Sequence, residues 1–241
     1  MSAPQIAHPI GQCDVQIPAG AARLDGTLQI PEGASGVVVF AHGSGSGRFS
    51  PRNQYVAGVI RDAGLGTLLC DLLTPAEEAV DVQMRHLRFD MELLAMRLMD
   101  TATWLTHRAE TRHLRVGYFG ASTGGGAALV AAARLGEVID AVVLRGWRPD
   151  LAGAALPYVV SPTLLIVGGR DTTVIHLNEA AYTQLRCQKT LEIVPGATHL
   201  FEEPGALAHV AQRATGWFQQ HLHPLHVLRS NRSGQAPIQS H

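Results

Sequence analysis

No excess of either charge marks this sequence. Its 19 Lys and Arg stand against 20 Asp and Glu, a formal net charge of -1 at pH 7, so there is no electrostatic case for a nucleic-acid or anionic-membrane partner. Cysteine is scarce: Cys13, Cys70 and Cys187 are odd in number, far apart and without a CxxC pair. Disulfide scaffolds, zinc ribbons and dithiol redox motifs are thereby set aside, and reduced thiols are expected. The opening "MSAPQIAHPIGQCDV" has neither a basic n-region nor a long apolar h-region. No apolar run elsewhere approaches the roughly 20 residues of a membrane span. The expectation is a soluble, non-exported chain working in the cytoplasm. Internal repeats are absent too, and no Ser/Pro-rich linker interrupts residues 1–222, which therefore read as one domain. The segment 223–241 loses periodicity and gains Ser, Asn, Pro and Gln, and reads as a loose tail.

What the 241 residues do contain is a 46% share of hydrophobic residues, and a single domain of this size can bury roughly 70–75% of its unfolded surface. Short apolar runs recur between Gly, Pro and Asp: 36–42, 66–72, 115–121, 140–146, 162–169 and 190–196. Continuous Val, Leu and Ile runs of this length predict strands buried on both faces. Between them, Leu87, Met91, Leu94, Leu98, Ala102 and Leu105 step by three and four, predicting one helix over 86–107. Leu207, Val210, Ala214, Phe218 and Leu222 do the same over 205–222. Alternating strands and helices predict an α/β fold with a mostly parallel sheet. Ahead of it, 14–31 reads as an antiparallel pair at the sheet edge, with breaks around Gly20 and Gly26.

The stretch "VGYFGASTGGGAALVAAA" (116–133) runs from a strand-like segment through small residues into an alanine-rich helix. Gly120-Ala121-Ser122-Thr123-Gly124 is a G-x-S-x-G pattern in the strand-turn-helix setting of a nucleophile elbow. A serine hydroxyl needs a base to remove its proton and an acid to orient that base. Asp171 follows the run "PTLLIVGG" and His199 follows "TLEIVPG", so both sit after strands, in the chain order nucleophile, acid, base. Taken singly, Asp171 also reads as a helix N-cap and His199 as one loop histidine among twelve. The three together are poorly explained by chance. The Thr123 amide lies in the first turn of the helix, and the loop "AHGSGSGRFSPRN" (41–53) offers a second backbone donor, Ser44 N–H with Gly43 close behind. That loop has no G-x-x-x-x-G-K-[ST] pattern, so nucleotide binding is discounted.

With "FAHGSGSGRFSPRN", "LLTPAEEAVDVQMRHLRFDMELL", "GYFGASTGGGAALVAAA", "RGWRPDLAGAALP", "PTLLIVGGRDTTV" and "LEIVPGATHLFEEPGAL", the chain resembles the dienelactone-hydrolase-like family of α/β-hydrolases over roughly 36–220. The resemblance implies an α/β-hydrolase fold, a mostly parallel sheet flanked by helices with minimal or no cap. It implies Ser122 as nucleophile, Asp171 as orienting acid and His199 as base. Relatives of this kind also occur fused to phosphoribosyltransferase domains, for which this chain has no room. Two departures stand out. The dienelactone hydrolases proper use a cysteine nucleophile, and a stretch that commonly reads R-G-G-R-P-D carries Trp147 here.

Trp147 is accordingly expected to narrow the acyl pocket. Arg48, Arg52, Arg145 and Arg148, on strand-end loops, are each expected either in a structural ion pair or as a fork for a substrate carboxylate. Trp104 and Trp217 read as helix-packing residues, "EEAVD" (77–81) as a solvated loop or helix start, and His221, His223 and His226 as too irregular for a metal site. The expected activity is hydrolysis of a small carboxylic ester or lactone through an acyl-enzyme, with no cofactor and no metal, in a monomer or homodimer. An acyltransferase using the same three residues, and a non-catalytic ligand- or partner-binding chain of the same fold, are the rival readings.

Overall fold

The computed structural model describes residues 10–223; His226 and most of the expected tail lie outside them. The first two extended runs, β1 (Ile10–Ala19) and β2 (Ala22–Ile30), pair as an antiparallel hairpin. Its turn falls at Gly20, while Gly26 stays within β2, packed against Val15, Ile17 and Leu68. The predicted buried runs become β3 (Gly36–Ala41), β4 (Gly66–Cys70), β5 (Arg115–Ala121), β6 (Ile139–Arg145), β7 (Thr163–Gly168) and β8 (Lys189–Val194). They form one eight-stranded sheet in the order β1-β2-β4-β3-β5-β6-β7-β8. From β4 to β8 every neighbour is parallel, and the hairpin joins through an antiparallel β2–β4 pairing.

Helices cover both faces, as parallel strands require. On one side α1 (Pro51–Asp62) and α6 (Ala206–His221) lay Val56, Ile60, Val210 and Phe218 over Val38, Phe40 and Val143. On the other, α3 (Met91–His107), α4 (Thr123–Leu135) and α5 (Thr172–Gln184) bury Leu98, Leu105, Leu129 and Ala181 against Val37, Tyr118 and Leu144. Tyr118 donates its hydroxyl to Leu98 O at 2.9 Å, tying β5 to α3. The sheet and its helices make an α/β-hydrolase fold without a large cap.

The helix expected over 86–107 is shorter than its apolar spacing implies. Asp90 accepts Leu93 N–H at 3.0 Å and starts α3 at Met91, leaving Leu87–Phe89 as a single 3-10 turn with Leu87 only half-buried. A local cap overrides the periodicity there. The "EEAVD" stretch lies within α2 (Pro75–Met84), where Thr74 and Glu77 form a reciprocal capping box, and its Asp81 is buried rather than solvated.

Candidate active site

The chain passes from β3 to β4 in one direction along the sheet and from β5 to β8 in the other. The carboxyl ends of β3 and β5 therefore flank the crevice where open parallel sheets bind ligands. Ser122 stands there with φ +50°, a conformation that L-residues rarely take. Its N–H reaches across to Arg145 O (3.3 Å), and its carbonyl accepts Gly125 N–H (3.1 Å). Ser122 occupies the N-cap position of α4, yet its side chain caps nothing, so the hydroxyl is free to do something else. Gly124 makes this entry to the helix feasible: a Cβ at that position would lie 2.1 Å from Ala41 O and 2.4 Å from His42 O.

Asp171 repeats the pattern at the next site. It is the N-cap of α5 by position, and its carbonyl accepts Ile175 N–H, but its carboxylate makes no cap bond. Oδ2 instead meets His199 Nδ1 at 2.7 Å. With Nδ1–H directed to a carboxylate, Nε2 of the neutral ring is left as the acceptor, the tautomer that a general base requires. Backbone bonds fix the two loops together: Gly169 N donates to Val194 O (2.8 Å) and Arg170 N to Ala197 O (2.9 Å). The end of β6 joins them to the serine. Arg145 O holds Ser122 N–H, and the next residue, Gly146, lies so close to His199 that an added Cβ would sit 2.9 Å from its carbonyl and 3.5 Å from its ring.

The loop after β3 closes the crevice from the other side. Gly43 packs on the serine, a Cβ there falling 3.0 Å from Ser122 Cβ. Ser44 N–H, expected to be open for a substrate oxygen, donates to Thr123 Oγ1 at 2.9 Å. The two oxyanion candidates are thus in contact, and one is occupied by the side chain of the other. His42 fastens the loop. Its Nε2 accepts Leu72 N–H (3.0 Å), which leaves Nδ1 as the donor to Gly43 O (3.0 Å), and burial pushes its pKa down.

Among the substrate-pocket candidates, the structure corrects the expectation for Trp147. Trp147 has no exposed surface and is packed in the core against Gly125, where it cannot line an open acyl pocket. Arg48 gives its backbone N–H and guanidinium to Asp71, with Asp25 3.7 Å away. Arg52 pairs with Glu202 (2.9 Å) and Arg148 with Asp150 (2.7 Å). For these three the ion-pair alternative holds. Arg145 differs: it is buried with no carboxylate partner among the described residues, donates to Leu200 O (3.3 Å), and lies 5.9 Å from the Phe201 ring. Desolvation, with Arg52 nearby, brings its pKa down to about 10.

Residues 24–223 match the sequence model of the dienelactone hydrolase family. The chain belongs to that family. A dienelactone hydrolase structure from Anabaena variabilis is 60% identical, with a TM-score of 0.87, covering 88% of this chain and 98% of that one. A protein of Mycobacterium tuberculosis strain H37Rv, named provisionally as a phosphoribosyl transferase, is 56% identical over 214 residues, 89% of this chain and 47% of the relative. The chain thus spans about half the length of that curated relative. Est1E from Butyrivibrio proteoclasticus, at 14% identity and a TM-score of 0.72 over 86% of this chain and 98% of its own, shares the fold.

In this dienelactone hydrolase family member a small cavity of about 30 Å³ opens beside the crevice, bounded by Gly43, Ser44 and Thr123. Leu72, Leu73 and Leu94 supply its apolar surface, and Asp71, Glu78, Asp81 and Arg88 its charges. The pairings that organise this side are not visible in the sequence. His42 carried the one available signal, a histidine at a strand end directly before a glycine loop. Glu77 and Arg97 carried none, being 20 residues apart. Arg97, buried, donates to Leu72 O (2.7 Å) and to both Glu77 oxygens (2.6 and 2.5 Å), and this pairing holds the Glu77 carboxyl at about 2.

Proposed function

We propose that the protein is a serine hydrolase of small carboxylic esters or lactones, acting through Ser122, His199 and Asp171. The observation that carries this reading is the 2.7 Å bond from His199 to an Asp171 carboxylate that forgoes its own helix cap. His199 Nε2 takes the Ser122 hydroxyl proton as Oγ attacks the carbonyl carbon, and Asp171 stabilises the imidazolium that forms. The developing oxyanion draws on the Thr123 amide, and on Ser44 N–H once the substrate oxygen displaces Thr123 Oγ1. Each such donor is worth on the order of 3 kcal/mol of barrier. Collapse expels the alcohol, which takes the proton from His199. Water, deprotonated by the same ring, then attacks the acyl-enzyme and releases the acid. Every step uses side chains, backbone amides and water, and the proposed setting is the cytoplasm, with the ester or lactone as the partner.

The family membership and the Anabaena relative support hydrolysis in general; the three named residues and the substrate bond are the added proposal. The name of the longer mycobacterial relative is a statement about that protein, and nothing in the geometry around Ser122 calls for a pyrophosphate. Incubation with an alkyl fluorophosphonate tests the reading. One equivalent of label on Ser122, found by peptide mass spectrometry and absent from Ser122→Ala, is expected. A label elsewhere, or none, overturns it.

A further inference from the structure

The peptide between Gly43 and Ser44 is held by its carbonyl end. Gly43 O accepts His42 Nδ1–H (3.0 Å) and Ser46 N–H (3.1 Å). In a trans peptide the N–H points away from the carbonyl, so these two bonds fix the direction of Ser44 N–H. It is aimed beside Ser122, on whose Cβ Gly43 packs, and meets Thr123 Oγ1 at 2.9 Å. That aim does not depend on Thr123 and would survive its departure.

Thr123 is buried, and its hydroxyl is only half used. The buried hydroxyls of Thr101, Thr111 and Thr163 each give their proton to a backbone carbonyl, at 2.7, 2.6 and 2.9 Å. Thr123 Oγ1 accepts Ser44 N–H and gives its own proton to no acceptor among the described residues. The small cavity of about 30 Å³ that borders Ser44 and Thr123 leaves this side chain room to turn.

The strength of the bonds decides when it turns. A ground-state carbonyl that took Ser44 N–H from Thr123 would exchange one neutral hydrogen bond for another, with little gain. An oxyanion is charged, and hydrogen bonds to it are roughly twice as strong. The exchange therefore becomes favourable only as charge develops, so it stabilises the transition state and not the bound substrate.

We propose that Thr123 is a catalytic residue through its side chain as well as its amide. Once Oγ1 has yielded Ser44 N–H, the Thr123 hydroxyl gives its unspent proton to the oxyanion as a third donor, beside the amides of Ser44 and Thr123. In the empty site the same hydroxyl satisfies Ser44 N–H, which would otherwise stand unpaired. The assignment rests on the hydrolase reading and adds a donor that reading does not contain.

Three substitutions test it, each compared with the parent by calorimetric melting: Thr123→Val keeps the shape without the hydroxyl, Thr123→Ala removes the bulk as well, and Thr123→Ser keeps the hydroxyl. On 4-nitrophenyl acetate, kcat is expected to fall about 10- to 100-fold in the Val and Ala variants, less than the loss of a fixed donor because Ser44 N–H no longer has to be released. KM should change little, and Thr123→Ser should recover most of kcat. A matched thionoester gives a readout that a packing role would not move, since sulfur accepts hydrogen bonds weakly. The parent's preference for the oxygen ester should shrink several-fold in Thr123→Val and persist in Thr123→Ser. Val and Ala variants as fast as the parent or faster would make the hydroxyl a mere stopper on Ser44 N–H and overturn the proposal, as would a preference that Thr123→Val leaves intact. Turnover lost in Ser122→Ala but unchanged in Thr123→Val and Thr123→Ala would remove the third donor and leave the hydrolase reading standing. Turnover that Ser122→Ala does not diminish would overturn both.

Discussion

His199 Nδ1 lies 2.7 Å from Asp171 Oδ2, and this contact draws the carboxylate away from the helix end at which Asp171 stands. An aspartate capping its own helix contributes typically about 1 kcal/mol. Ser122 forgoes the same contribution at α4 and sits in a backbone conformation with φ +50° as well. Two helix starts in one crevice surrender local stability to point their side chains elsewhere, as expected of groups kept for chemistry.

Replacing Asp171 by Asn keeps the shape and removes the charge that orients and stabilises the ring. The introduced amide nitrogen would offer a donor where His199 presents one. In Asp171→Asn, kcat on an activated ester is expected to fall about 10³- to 10⁴-fold while the melting temperature stays close to that of the parent. Calorimetric melting and initial rates on the same preparation check both halves.

Arg145 carries a charge into the interior without a carboxylate partner among the described residues, and its bond to Leu200 O supports the loop that carries His199. Arg145→Met should be neutral or stabilising, because an unpaired buried charge is lost. A base displaced by a fraction of an ångström should lower kcat about 10- to 100-fold, with KM little changed and Arg145→Lys recovering part of the loss. A purely structural arginine would leave kcat alone.

His42 binds its proton less readily folded than unfolded, since burial lowers its pKa below 6.5 and Nε2 is occupied by Leu72 N–H. The unfolded chain gains the proton first as pH falls. The stability from neutral His42 is therefore complete above about pH 6.5 and is lost below it, at up to about 1.4 kcal/mol per pH unit. Urea unfolding at pH 7.5 and 5.5 should show a smaller decline in His42→Asn than in the parent.

Trp147 fills core space rather than the pocket, its Cβ crowding the position a Gly125 side chain would take. Trp147→Ala is expected to cost about 3–5 kcal/mol, measured by urea unfolding, and to leave the relative rates on short and long acyl esters unchanged in whatever fraction stays folded.

The sheet and the order of Ser122, Asp171 and His199 were legible because each sits where an apolar run ends, a signal local to a few residues. The helix start at Met91 was hidden because one Asp90 cap outweighs several apolar residues in phase. The Trp147 expectation failed for a related reason: a strand-end position does not say which way the side chain turns, and a tryptophan finds more area in the core than in an open crevice. The His42 bonds, the Glu77–Arg97 pair and the Ser44–Thr123 contact join segments brought near only by folding. No spacing rule reaches them.

In the proposed mechanism Ser122 makes the bond to the substrate. Its most direct measure is kcat on a short-chain 4-nitrophenyl ester for the parent and for Ser122→Ala, both shown folded by calorimetry. A loss of about 10⁶-fold is predicted. Equal rates in the two proteins would rule out Ser122 as the nucleophile.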